Sequence, residues 1–155
     1  MITLKPIGIV KNTRQSDEDD NWGSVVSSIE LCAPYYEESL RGIEDFSHVE
    51  IIFYFHQVSE QKIVRGSRRP RNNRAWPLVG IFAQRGKNHP NLIGTTMAKV
   101  LKRDGNKLLV QGLDAINGTP VIDIKPVMKE FLPKKDVLQP TWAEEIMRHY
   151  WQYET

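Results

Sequence analysis

The first 125 residues carry no helical period long enough to build a layer and instead break into short β-type runs separated by turn residues. Runs over 4–10, 25–32, 48–57, 78–83, 95–101, 107–113 and 121–124 predict strands. The clearest is 48–57, where Val49, Ile51, Phe53 and Phe55 alternate with His48, Glu50, Ile52, Tyr54 and His56. Both of its faces are largely apolar, which predicts a strand buried on both sides. Asp104-Gly105-Asn106 offers the residues of a tight turn and joins 95–101 to 107–113 as a hairpin. A short helix is expected over 35–41, between the break at Ala33-Pro34 and the turn at Gly42. So many short strands with so little helix predict a mainly β fold, a single small β-barrel over about 3–126.

The tail changes period. Thr141 stands three residues before Glu144 and directly after Pro140, the pattern of a capping box. Trp142, Ile146 and Tyr150 then recur at four-residue spacing, with Ala143, Met147 and Trp151 beside them. This predicts a C-terminal amphipathic helix over about 141–152, packed on the barrel. A chain of 155 residues is the size of one domain, here taken as 1–155.

Charge is distributed unevenly. Between Gln61 and Arg103 there are 11 Lys and Arg residues and no Asp or Glu, whereas all 19 acidic residues lie outside that stretch. The net charge of +2 therefore conceals a positive surface on a mildly negative body. Such a surface attracts phosphate-rich partners and weakens with salt. A long loop from Ser59 to about Pro77 holds Arg65, Arg68, Arg69, Arg71 and Arg74, the candidate RNA-binding residues, with Trp76 as a platform for a splayed base. The plainer alternative is a solvated basic loop with no partner.

Several function classes drop out. The apolar run Ile51–Phe55 is far short of the roughly 20 residues a membrane span needs. The N-terminus lacks the basic and apolar regions of a secretory signal. Cys32 is the single cysteine, so no intrachain disulfide forms and a cytoplasmic location is expected. No dinucleotide-binding glycine pattern occurs. Gly80 to Asn88 imitates a phosphate loop but has one residue too many, Asn88 where Ser or Thr is required, and Pro90 where a helix should begin. His48 and His56 share a strand face but lie roughly 26 Å apart at strand rise, too far to share a metal ion. No metal site is expected.

Two segments place polar donors among residues that fix tight loops, where binding groups are commonly held. They are Phe82-Ala-Gln-Arg-Gly-Lys-Asn-His-Pro-Asn-Leu-Ile-Gly94 and Gly112-Leu-Asp-Ala-Ile-Asn-Gly-Thr-Pro-Val-Ile-Asp-Ile-Lys-Pro126. Both closely resemble the signature of the TrmO family, also called TsaA-like or YaeB-like. Its members read approximately F-A-T-R-S-P-x-R-P-N-P-I-G and G-L-D-x-x-D-G-T-P-x-x-D-I-K-P. The resemblance extends upstream through Gly42–His48, Phe53–Gln57 and Ile7–Val10, nearly the whole chain to Pro126.

The resemblance implies a small barrel that binds S-adenosyl-L-methionine (S-adenosylmethionine) without a dinucleotide-binding fold, usually at a homodimer interface. The implied activity is methylation of N6 of N6-threonylcarbamoyladenosine at position 37 of certain tRNAs. Carried over by motif, the cofactor contacts are Asn21, Trp22 and Gly23, then His56 and Gln57, Arg85, Thr95, and Gln111, Gly112, Leu113 and Asp114. Arg85 suits the cofactor carboxylate or an RNA phosphate. Trp22 suits the adenine or the sulfonium. Asp114 suits a ribose hydroxyl or an amine, or is simply a turn carboxylate bonded to its own backbone. No catalytic base is assigned; His56 and Asp114 are the nearest by motif.

The chain departs from the family pattern at Gln84, Gly86, His89, Leu92 and Asn117. Loss of an arginine at His89 is expected to alter RNA contact. Three functions stay open: the tRNA methyltransferase, a methyltransferase for another RNA or a small molecule, and a non-catalytic S-adenosylmethionine- or RNA-binding regulator.

Overall fold

A computed structural model describes residues 1–153. Six antiparallel strands close into a barrel: β1 (Gly8–Lys11), β2 (Val26–Leu31), β3 (His48–Tyr54), β6 (Ile93–Asp104), β7 (Lys107–Gln111) and β8 (Pro120–Pro126). Their order around the wall is β1-β2-β7-β6-β3-β8, and β8 returns to β1. Closure leaves no free sheet edge to pair with another chain. Two residues each make β4 (Ser67–Arg68) and β5 (Val79–Gly80), a small separate ribbon.

The alternation read from the sequence becomes the inside and outside of the wall. Val10, Ile29, Val49, Ile51, Phe53, Leu108, Val110 and Val121 are all at most 1% exposed and fill the interior. Burying a side chain of this kind contributes about 1.5–3 kcal/mol. Gly94 lies opposite Phe53 in the β3–β6 register, and a Cβ there would stand 2.6 Å from the Phe53 ring. A strand glycine is required because the phenyl ring occupies the place of its side chain. Phe55 then meets Phe53 edge to face, with centroids 5.3 Å apart.

The structure departs from the sequence reading at four places. The outer face of β3 is not buried: His48 and Tyr54 are exposed, while Glu50 and Ile52 are half-buried. A closed barrel has only one dry side, so an apolar outer residue need not be covered. The run 78–83 yields only β5 and then a 3-10 turn over Ile81–Ala83. The expected helix over 35–41 is likewise a 3-10 turn, Glu37–Leu40. The C-terminal helix α1 covers Thr141–Ile146 and stops well before 152. Pro140 occupies the N-cap position and no side chain caps it, so the Thr141–Glu144 capping box does not form. Beyond Ile146 the backbone turns repeatedly, with Tyr150 N–H donating to the Met147 carbonyl and Gln152 N–H to that of His149.

Candidate functional site

One end of the barrel interior turns polar. Inward positions on β2 and β6 are occupied there by Ser27 and Thr96, both buried. The 112–119 segment between β7 and β8 crosses this end, anchored by Leu113 and Ala115, which join the barrel core. Asn12 fastens it: its side-chain amide donates to the Ala115 carbonyl at 2.8 Å and to Ser27 Oγ at 2.9 Å. Gly118, at φ 87°, makes the turn back into β8 and donates its N–H to the Val10 carbonyl at 2.8 Å. Asn117, where the family pattern has Asp, accepts the Asn12 backbone N–H at 3.0 Å. An aspartate oxygen would accept equally well, so that departure leaves the turn intact.

Asp114 projects from this crossing segment. Thr96 Oγ1 donates to its Oδ1, and the Tyr150 hydroxyl donates to its Oδ2. Burial first, and then the Asp114 charge and this hydrogen bond, push the Tyr150 hydroxyl far above the ordinary tyrosine value. The positive charges of Arg71 and Arg85 act on the same hydroxyl in the opposite sense. Asp114 is thus held by side chains of two other segments, in contrast to the turn carboxylate bonded to its own backbone considered from sequence.

A cleft opens beside Asp114, lined also by Trp22, Phe55, His56, Gln57 and Lys87. Lys87 is bonded to Asp17 across it, and burial holds its ammonium below the ordinary lysine value. Gly23, Gln111 and Gly112 instead line a second, more open depression with Trp151. Leu113 is fully buried and supports the segment from beneath. Arg85 is exposed, its Nη2 donating to the Thr95 carbonyl at 2.9 Å, while Thr95 Oγ1 donates to Glu50 at 2.9 Å.

Trp22 does not offer the open stacking face expected of it. It is 3% exposed, the Arg14 guanidinium lies 3.9 Å from its ring centroid, and its indole N–H donates to the Glu18 carbonyl at 3.1 Å. Trp22 packs instead with Val25, Ile116 and Tyr150 in a small second core. The basic segment is also more ordered than a solvated loop. Gln84 and Asn88 are buried and donate to the carbonyls of Arg68, Val79 and Lys62. A ring nitrogen of His89 bonds the Gln84 carbonyl at 2.7 Å. Gln84 and His89, two of the departures from the family pattern, thus knit the loop together with Asn88.

The five candidate RNA-binding arginines divide. Arg65, Arg69 and Arg74 are exposed, with Arg69 also bonded to the Trp76 carbonyl at 2.6 Å. Arg68 is half-buried against Gly86. Arg71 faces Asp19 and Asp20 at 3.9 and 3.4 Å, an ion pairing between the acidic and basic loops. Trp76 is half-buried and donates its indole N–H to Glu145 of α1 at 2.7 Å, tying the basic segment to the tail.

Residues 13–132 match the sequence profile of the tRNA-methyltransferase O N-terminal domain. The chain belongs to this family. A human relative, tRNA (adenine(37)-N6)-methyltransferase, is 41% identical over 104 residues, covering 67% of this chain and 23% of its own length. A Pyrococcus abyssi relative, described as a probable S-adenosyl-L-methionine-binding protein, is 31% identical over 94% of this chain and 78% of its own length. The crystal structure of TrmO from Pseudomonas aeruginosa superposes with a TM-score of 0.70 at 26% identity, covering 88% of this chain and 61% of that one. The chain therefore spans 22–23% of the length of the human and mouse methyltransferases it matches. The profile match ends at residue 132, so α1 and the Tyr150 segment lie outside the matched family domain.

Sequence reasoning missed Thr96 and Tyr150. The first sits within a plain strand pattern and the second reads as a core position of a helix; neither carries a signal for contact with Asp114.

Proposed function

We propose that this TrmO-family domain binds S-adenosylmethionine in the cleft beside Asp114 and transfers its methyl group to N6 of an adenine at position 37 of tRNA, with N6-threonylcarbamoyladenosine as the acceptor. The observation that carries this reading is the convergence of His56, Gln57 and Asp114 on one cleft, with the Arg85 charge acting on the Tyr150 hydroxyl bonded to Asp114. The donor set fits the cofactor. Arg85 spends one donor on Thr95 and keeps others for a carboxylate. Asp114 keeps lone pairs for a ribose hydroxyl or an amine, and Phe55 and Ile116 offer apolar walls to an adenine ring.

The cofactor would supply the electrophilic methyl. The chain's residues bind and orient, because an in-line transfer gains much of its acceleration from positioning. Exposed Arg65, Arg69 and Arg74 suit an RNA backbone. A homodimer is part of the proposal. Tyr54, Ile93 and Met97 form an apolar strip on the outer face of β3 and β6, 39%, 39% and 49% exposed, that a second copy would cover.

Mass spectrometry of tRNA nucleosides tests the activity, after incubation of protein and cofactor with tRNA that carries N6-threonylcarbamoyladenosine but lacks its N6-methyl group. Appearance of the N6-methylated threonylcarbamoyl nucleoside is expected. Methylation at another nucleoside would redirect the acceptor, and no methylation despite cofactor binding would favour a regulator. Light scattering tests the dimer, for which a monomeric mass with intact cofactor affinity is the contrary result.

A further inference from the structure

The last described residues do not trail from the domain; they are seated on the loop that the family motif assigns to the cofactor. The backbone N–H groups of Asn21, Trp22 and Gly23 donate in succession to the carbonyls of His149, Tyr150 and Gln152, at 3.1, 2.8 and 3.3 Å. A Cβ at Gly23 would stand 2.0 Å from the Trp151 carbonyl oxygen, so only glycine permits this approach. The Tyr150 ring packs on Trp22, Val25 and Ile116 and meets Trp151 edge to face with centroids 4.8 Å apart.

We propose that the segment 147–152 is a permanent backing wall of the cofactor site, standing behind Trp22 and Asp114 of the cleft, and that Tyr150 is a positioning residue that aims the Asp114 carboxylate at the ligand. This rests on the S-adenosylmethionine reading above. Two facts distinguish a wall from a removable plug. Withdrawal would expose Trp22, Val25 and Ile116, now 3%, 8% and 8% accessible, and would break three backbone hydrogen bonds together. The hydroxyl also does more than fill space. Thr96 fixes Oδ1 from β6 and Tyr150 fixes Oδ2 from the tail, so the carboxylate plane is set from both sides. Each oxygen keeps a lone pair for the ligand. The amides of 21–23 serve the chain's own tail, and recognition on this side passes to Asp114.

Calorimetric titration with S-adenosylmethionine on the full chain tests this, using wild type, Tyr150→Phe, Asp114→Asn and the double variant. Tyr150→Phe should weaken binding by about tenfold, the order for one hydrogen bond to a charged group. At saturating cofactor its kcat should stay near that of wild type, so the loss appears in KM. In the Asp114→Asn background the same change should add little, because the residue acts through Asp114. Equal losses in both backgrounds would mean that Tyr150 contributes packing alone, and would overturn the proposal, as would unchanged affinity. Gly23→Ala displaces the tail and serves if Tyr150→Phe does not fold; weaker binding is expected, and tighter binding would reveal a plug. If wild type itself binds no cofactor, the S-adenosylmethionine reading fails first and this inference falls with it.

Discussion

The barrel interior and the small core around Trp22 are built from the same kinds of side chain but are assembled differently. The interior is enclosed by hydrogen-bonded strand ladders, each strand supplying every second residue. The Trp22 core has no sheet around it. It exists because three segments remote in sequence, 21–25, the crossing at Ile116 and the tail at Tyr150, meet at one end of the barrel. The first arrangement is a scaffold whose parts hold one another in place. The second is a junction, and each participant is needed to keep the others buried. The candidate site lies on the junction, where Asp114 and Tyr150 meet.

This contrast is open to direct measurement. Phe53→Ala should cost about 3–5 kcal/mol in denaturant unfolding, as a large residue removed from a closed core. A cost no greater than that of a surface substitution would mean that the barrel is not the scaffold. Truncation after Arg148 should cost at least roughly 1.5–3 kcal/mol, the forfeited burial of Tyr150 alone. Hydrogen exchange should then show faster exchange at residues 21–23 with the strand amides still protected; a global loss of protection would erase the distinction between scaffold and junction.

Arg85→Ala should weaken S-adenosylmethionine binding by roughly 1.5–3 kcal/mol, the range for a charge-assisted hydrogen bond. Unchanged affinity in a folded variant would remove Arg85 from the site. A smaller effect concerns pH. Tyr150 has its hydroxyl value raised above the ordinary 10.0, so the folded state retains a proton that the unfolded chain releases. Its contribution is therefore intact below pH 10.0 and is lost as pH climbs above it. Denaturation midpoints measured across that range should fall for wild type and fall less for Tyr150→Phe. Parallel declines would show that other groups control the alkaline limb.

The smallest expected effect is electrostatic. Replacing Arg65 and Arg74 by Ala should reduce the log–log salt slope of tRNA binding by about 0.7 for each phosphate left unneutralised. Arg71→Ala should alter the slope less, because Asp19 and Asp20 already offset that charge. Identical slopes for wild type and the double variant would make this segment a solubilising surface.

Legibility follows the same division. Val49, Ile51 and Phe53 announce their strand because a period of two is local information, and the tight turn at Gly105 likewise identifies its hairpin. The motif positions His56, Gln57 and Asp114 are legible as a group through family resemblance, and they line one cleft. The burial of Trp22 is not legible, because an indole in a polar loop looks open until Arg14 is found stacked upon it. The tail misleads because its spacing suits a helix throughout, whereas docking of its carbonyls on residues 21–23 turns the backbone out of the helix after Ile146.

The sequence by itself determined the wall: alternation, turn residues and one-sided charge are properties of neighbours along the chain, and they specify strands, hairpins and a basic surface wherever the chain goes. Only the tertiary structure decided the junction. Thr96, Asp114 and Tyr150 are separated by 18 and 36 residues, and no local pattern records that a hydroxyl from a strand and a hydroxyl from the tail will share one carboxylate. That meeting depends on where the 112–119 segment crosses the end of the barrel, which sets Asp114 beside Thr96 of β6 and within reach of the tail.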